Sequence, residues 1–313
     1  GEVDFTITAG IPGSINTYSP EDGEAFSHLG GANNVNSDEY DLRYILKVYD
    51  DETLAYEEIQ TVKSDFTGEK VNFSARLLAK KYTFVLWADF VKEGTKNDLY
   101  YNTQDLTMVS YTSTVTDDFN MRAKYLSSDA IDAYTAYQEI NLSESSQNVN
   151  ISLKRPFGKI RLLATDAPDN NDANTQIPNK VSIKFAEDTW VPSTYNAKIG
   201  QVSEGNSILI EQYSFDAIRE VQPQVTGHDE LAEEDNSAYL LGQTYIFASE
   251  SIPSYKMTVT TYSDEYLNAQ IGYRELTNIP VSANKLTTVI GNFYTNEGNI
   301  DVVVDDMFDE DET

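Results

Sequence analysis

The stretch Ile279–Phe308, IPVSANKLTTVIGNFYTNEGNIDVVVDDMF, decides the fold class. From Leu286 to Thr295 β-branched and aromatic residues dominate, and no apolar stripe recurs at i, i+3 and i+4, so strand is predicted over helix. Asn296–Asn299 (NEGN) is turn chemistry, with Gly298 free to take a positive φ. Ile300, Val302 and Val304 then alternate with Asp301, Val303 and Asp305, the pattern of a half-buried strand. Two strands joined by four turn residues make a hairpin.

The same style recurs along the chain. Gly1–Asp38 is rich in Gly, Ser, Asn and Pro after a short strand-like opening, Val3–Thr8. Leu42, Tyr44, Leu46 and Val48 alternate with Asp41, Arg43, Ile45 and Lys47, which predicts an amphipathic strand. Val71, Phe73, Ala75 and Leu77 do the same against Asn72, Ser74 and Arg76. Tyr82–Val91 (YTFVLWADFV) is apolar on both faces, as in a central strand covered from two sides. Asp98–Tyr111, Asn148–Leu153, Lys159–Ala164, Val181–Phe185, Ser207–Tyr213, Tyr239–Ala248 and Tyr255–Tyr262 supply further strands. Ser127–Gln138 (SSDAIDAYTAYQ) is the best helix candidate; its Ser/Asp start suits a cap, but no long stripe follows, so it reads as a short helical turn.

Arg155-Pro156 interrupts two strands, and proline removes a ladder donor, which suits a crossover between units. The boundary is placed there, giving domains 1–154 and 155–313. Leu78-x-x-x-Tyr82-x-Phe84 echoes Leu241-x-x-x-Tyr245-x-Phe247 and suggests two similar halves. About a dozen short strands without long helices argue for an all-β protein of two β-sandwich domains.

Composition narrows the function. The 313 residues, long enough for two cores, carry 51 acids against 22 bases, a net charge of −29. A field of that sign repels phosphates and anionic lipid, which disfavours nucleic acid and membrane surfaces as partners. No apolar run approaches the roughly 20 residues of a membrane-spanning helix. The absence of cysteine removes disulfides, thiolate metal sites and thiol nucleophiles. Only two histidines are present, His28 in a Gly-rich loop and His228 in the acidic stretch His228–Asn236; both read as solvated surface residues rather than bases of a triad. No G-x-S-x-G, H-E-x-x-H, P-loop or G-x-G-x-x-G motif occurs. Paired carboxylates of a hydrolase would need only two of the 51 acids, and nothing selects a pair. Asp166–Asn174 (DAPDNNDAN) spaces Asp166, Asp169 and Asp172 by three, unlike a calcium loop, and reads as an Asx-rich turn. The acidic tail Asp305–Glu312 reads as a solvated terminus. No cofactor and no metal is called for. Tyr100, Tyr101, Trp190 and Tyr195, at predicted loop edges, are the candidates for stacking on sugar rings.

Three segments together resemble the fimbrillin-like surface proteins of Bacteroidales, which include type V pilus subunits and related adhesin-like proteins. They are Ser127–Ile140 with Val149–Asp166 (VNISLKRPFGKIRLLATD), Val71–Phe90 (VNFSARLLAKKYTFVLWADF) and the closing hairpin. The resemblance implies two transthyretin-like sandwiches, export as a lipoprotein with signal and lipid-bearing cysteine before Gly1, and display at the cell surface. It also implies contact with the outer membrane only through that anchor, and other fimbrial subunits or host ligands as partners. Family pilins lose an N-terminal strand by cleavage after Arg or Lys, and the groove accepts a donor strand. Here no Arg or Lys precedes Arg43, which lies in a predicted strand. Either the cleavage site lies before Gly1, or the chain is an anchor, tip or stand-alone member. A non-enzymatic structural or adhesive role is the leading expectation, with a monomeric glycan- or host-protein-binding module as the alternative and an acid-pair hydrolase third. The strand-exchange candidates are Val3, Phe5 and Ile7 in the opening strand, and Leu286, Ile290, Ile300, Val302 and Val304 in the hairpin.

Overall fold

The computed structural model describes residues 1–10, 35–64, 71–143, 147–168, 180–203, 212–249 and 254–306. His28, Asp169, Asp172, most of the predicted strand Ser207–Tyr213 and the tail beyond Asp306 lie outside the described residues. The strands are, in chain order, β1 (Glu2–Gly10), β2 (Tyr40–Asp50), β3 (Thr53–Lys63), β4 (Val71–Leu78), β5 (Lys81–Lys92), β6 (Tyr101–Asn102), β7 (Val109–Tyr111), β8 (Ala133–Asn141), β9 (Gln147–Ser152) and β10 (Phe157–Ala164). They continue with β11 (Lys180–Phe185), β12 (Thr194–Asn196), β13 (Gln201–Val202), β14 (Gln212–Asp216), β15 (Ile218–Val221), β16 (Ser237–Phe247), β17 (Ser254–Tyr262), β18 (Gln270–Pro280), β19 (Lys285–Gly291) and β20 (Ile300–Asp306). Helix among the described residues is confined to α1 (Ser113–Thr116), α2 (Phe119–Ser127) and 3-10 turns at Asp129–Ile131 and Asp229–Ala232.

The strand order repeats. Sheets β4-β1-β9 and β3-β2-β5-β8 use strands from residues 2–152, whereas β15-β16-β10-β19-β20 and β14-β11-β17-β18 use strands from residues 180–306 together with β10. Equating β1, β2, β3, β4, β5, β8 and β9 with β10, β11, β14, β16, β17, β18 and β19 reproduces both sheets in the same sequential order. The parallel pairs repeat as well: β1 runs parallel to β9, and β10 to β19. The echo read from Leu78 and Leu241 does not coincide with this repeat. Leu78 ends β4 and Tyr82 belongs to β5, whereas Leu241, Tyr245 and Phe247 all lie in β16.

In the first half Phe5 of β1 meets Phe84 of β5 edge to face at 5.3 Å, which packs one sheet on the other. In the second half β16 crosses β11 and β14 so closely that a Cβ on Gly242 would come within 2.9 Å of Ile183 and Phe215. A short fifth sheet, β13-β12-β7-β6, draws on both halves. Its rings form the seam: Tyr101 touches Trp87 at 5.5 Å and Phe157 at 6.0 Å, and Tyr195 stacks on Phe247 at 5.9 Å.

Three expectations are corrected. Β2 is not amphipathic: its Arg43/Lys47 face is buried too, because Arg43 binds Asp89 and Asp98, and Lys47 donates to the carbonyls of Thr103 and Gln104. Ser127–Gln138 gives only the end of α2 and one 3-10 turn, in which Ser128 Oγ accepts the Ala130 N–H at 3.2 Å. From Ala133 the chain is β8, paired residue for residue with β5, so sheet registry overrides local propensity. In the closing hairpin the first strand stops at Gly291, not Thr295, and the connection is eight residues long.

Candidate functional site: the strand edges

Β1 alternates a dry and a wet face. Val3, Phe5, Ile7 and Ala9 point into the core, while Asp4 pairs with Arg76 (2.8 Å), and Thr6 and Thr8 reach Ser74 and Asn72 on the outer face. Its backbone is paired on both sides, antiparallel to β4 from Glu2↔Leu78 to Ala9↔Val71 and parallel to β9 from Phe5↔Gln147 to Gly10↔Ser152. Val3, Phe5 and Ile7 therefore sit in a central strand with no free edge.

Leu286 and Ile290 are likewise interior, since β19 lies between β10 and β20. Only Ile300, Val302 and Val304 lie on an edge strand. There the predicted facing is partly reversed: Val302 and Val304 are 37% and 47% exposed, whereas Val303 packs with Leu163, Val225, Leu231 and Ile290. The reason is the segment between β15 and β16, which folds over the Asp301/Val303/Asp305 face. His228 contacts Asp301 at 2.7 Å through Nε2 and Glu230 at 3.1 Å through Nδ1, and the Thr226 hydroxyl donates to Asp305. His228 is not a freely solvated residue, and the hydrogen bond to Asp301 raises its pKa above the ordinary value.

The four candidate sugar-stacking aromatics divide. Tyr100, Tyr101 and Tyr195 are buried, Tyr101 and Tyr195 in the seam and Tyr100 against Tyr40 and Tyr125, so they are packing residues and not a stacking surface. Trp190 alone is exposed, at 49%. Nothing brings it beside the other three as a platform.

The charged groups that composition left unassigned are structural. Arg43 grips Asp89 with Nε and Nη2 at 2.9 and 2.8 Å, and its Nη1 donates to Asp98 at 2.9 Å. Burial opposes the Arg43 charge, but the two carboxylates outweigh it and its pKa is raised. Arg155, beside the predicted boundary, binds Asp132 at 2.7 Å with both side chains buried. Asp166 is a capping carboxylate, accepting the backbone N–H groups of Phe293 (2.9 Å), Tyr294 (3.1 Å) and Thr295 (2.8 Å) in the hairpin connection. Sequence reasoning missed these roles, although one signal was present. Asp89 in an otherwise apolar strand demands a cation, and Arg43 lies on the neighbouring strand.

Catalytic geometry is sparse. Among the described residues no group of three or more His, Cys, Asp or Glu is placed to hold a metal ion. In a cleft bordered by β8, Glu139 is the sole lining carboxylate. A second cleft carries Glu57 and Asp98, but Asp98 is committed to Arg43 and to Thr103. No helix among the described residues is long and apolar enough to cross a membrane.

No curated protein matches the chain. Among solved structures it is similar to a candidate cell adhesion protein from Bacteroides uniformis (11% identity, 98% of each chain, TM-score 0.47). It is also similar to a fimbrial assembly protein from Parabacteroides distasonis (10% identity, 100% of this chain and 98% of that one, TM-score 0.45). A third is the fimbrial anchor protein Mfa2 from Porphyromonas gingivalis (8% identity, 93% and 91%, TM-score 0.44). Residues 1–313 match one family model throughout, and the chain belongs to that family, DUF6562, a family of unknown function.

Proposed function

We propose that the chain is an exported, non-enzymatic cell-surface protein with a structural or adhesive role in or on a fimbria, and that strand complementation is its route of assembly. In this reading residues 1–154 and 155–313 are two transthyretin-like sandwich domains, a lipid anchor on the precursor holds the protein at the outer membrane, and other fimbrial subunits are its partners. The resemblance of the three quoted segments to fimbrillin-like proteins supports it. The observation that carries it is the position of β1, which lies between β4 and β9 with four side chains plugged into the core. Its departure would leave two unpaired ladder edges above a row of alternate-residue pockets, the physical requirement of a donor-strand acceptor.

The test is complementation in two pieces. A chain beginning at Val35 is mixed with a synthetic peptide of Glu2–Gly10. Saturable binding with recovery of the full-length melting temperature is expected, and a peptide with Phe5→Asp and Ile7→Asp should fail. Recovery with the Asp peptide, or none with the native one, refutes the acceptor reading. The monomeric glycan-binding alternative loses three of its four aromatics to the core, and no observation favours it.

A further inference from the structure

A cleft of about 960 Å³ is lined by five consecutive residues of β8, Thr135–Glu139, and faced by the turn Ser282–Lys285. That volume is within the roughly 300–1,000 Å³ of ordinary ligand clefts. Side chains of a strand alternate between faces, so five residues in a row can line a cleft only through the strand's edge. Β8 is the edge strand of its sheet, paired with β5 alone. Thr135 exchanges both backbone hydrogen bonds with Lys154, at 2.7 and 2.9 Å. By the antiparallel alternation the N–H and C=O groups of Tyr137 and Glu139 point the same way. Beyond that one bridge no described strand pairs with them, because the chain leaves at Arg155, which turns to Asp132.

The opposite wall approaches as closely as backbone allows. Gly200 has φ +67°, and a Cβ there would stand 2.7 Å from the Tyr137 ring. The charge of the cleft also departs from that of the chain. Glu139 pairs with Lys81, Arg155 with Asp132 and Lys285 with Asp306. Lys154 pairs with no described carboxylate, so the uncompensated charge is positive on a molecule of net charge −29. A begun ladder, a slot beside it and a lone ammonium suit an extended segment that carries acid.

We propose that the free edge of β8 is a β-augmentation site that takes an extended acidic peptide segment from another polypeptide, Tyr137 and Glu139 supplying the ladder and Lys154 the charge. The site does not depend on β1 or β20, so it can stand if strand complementation fails.

The test uses the full chain and two fluorescein-labelled probes, TVDVTVDVT and TVKVTVKVT. The acidic probe should bind saturably and at least about tenfold more tightly than the basic one, and Lys154→Glu should reverse that order. Amide exchange of Tyr137 and Glu139, fast in the free protein, should slow on binding, while Ala136 and Gln138 stay protected throughout by β5. Tyr137→Pro or Glu139→Pro removes an outward donor and leaves the β5 ladder intact, and should weaken binding at least about tenfold. If either proline variant fails to fold, the exchange measurement on the unaltered chain decides alone. The proposal is overturned by absence of peptide-induced protection at Tyr137 and Glu139, by undiminished binding to folded proline variants, or by saturable binding of maltoheptaose at Tyr137 with neither peptide bound.

Discussion

The two halves of the molecule use one strand plan and finish it differently. In the first, the sheet β4-β1-β9 ends at β9; in the second, the equivalent ladder continues past β19 to β20. Β1 is dry on one face only, whereas its counterpart β10 is buried at every position, Lys159 and Arg161 included. The extra cover lies over a single face of β10, with the aromatic seam at its Phe157 end and the His228 segment at its Leu163 end. A repeated topology therefore fixes which strands are central. What lies over them decides whether the second face can be polar.

That comparison breaks most easily at the interiors. Phe5→Ala removes a ring wedged against Phe84 and Tyr56 and should cost about 3–5 kcal/mol, read by denaturant unfolding. Leu162→Ala in β10 should cost about 2–5 kcal/mol. A loss below about 1 kcal/mol at Phe5 would mean that β1 is not held as a central strand. Asp132→Ala belongs to the same class, because Arg155 would be left charged and buried between the halves; about 3–5 kcal/mol is expected. If the halves unfold separately, Phe5→Ala and Leu162→Ala should lower different transitions in a calorimetric scan, and Asp132→Ala should lower both.

These interiors also mark what the sequence could and could not reveal. Β5 was legible because YTFVLWADFV is apolar at both parities, which only a doubly covered strand tolerates. Β3 and β18 were not, because half-exposed edge strands carry little hydrophobic period, and two register shifts break the alternation that β17 and β18 share. The helix candidate failed because Tyr134 and Thr135 pack in a sheet whose registry is set by β5, some fifty residues away in sequence. Of the candidate site, the β-strand character of every strand-exchange residue was legible. The edge or interior position of each was not, since that depends on which distant strand lies beside it. The aromatics failed for a related reason: tyrosines at loop edges turned inward, Tyr101 and Tyr195 to close the seam between halves and Tyr100 onto Tyr40 and Tyr125.

A smaller effect is expected at Asp166, where one carboxylate ties β10's end to the connection that leads into β20. Asp166→Ala leaves three backbone N–H groups without their acceptor and should cost about 1.5–3 kcal/mol, the range for hydrogen bonds to a charged group. Amide exchange should quicken at Phe293, Tyr294 and Thr295 first. Asp166→Asn should recover part of the loss, because a carbonyl oxygen still accepts.

Smaller again is the pH dependence of the β20 clasp. His228 has a folded pKa above its ordinary 6.5, so its contribution is complete below about that pH and is lost as pH rises through the raised value. Since the groups are partly exposed, the contribution should not exceed about 1 kcal/mol. Raising pH from 6 to 9 should loosen β20 amides in the unaltered chain and have less effect in His228→Gln. Equal loosening in both would assign the change to another group.

The least effect on stability is expected where the two halves differ most in exposure. Val302 and Val304 stand on the outer face of β20, and replacing both with Thr keeps β-branching while removing apolar surface. Surface changes of this kind usually fall within about 0.5 kcal/mol. Yet an edge strand with two exposed valines is a template for another chain, restrained on that strand by the acids Asp301, Asp305 and Asp306. The double Val→Thr variant should therefore melt like the unaltered chain and self-associate less, as judged by light scattering at high protein concentration. High salt should enhance association of the unaltered chain, because screening weakens repulsion between acidic edges but not the attraction between valines. If salt has no effect and the Thr variant associates equally, β20 is a closed edge, and the additional strand serves only to cover Ile290 and Leu163.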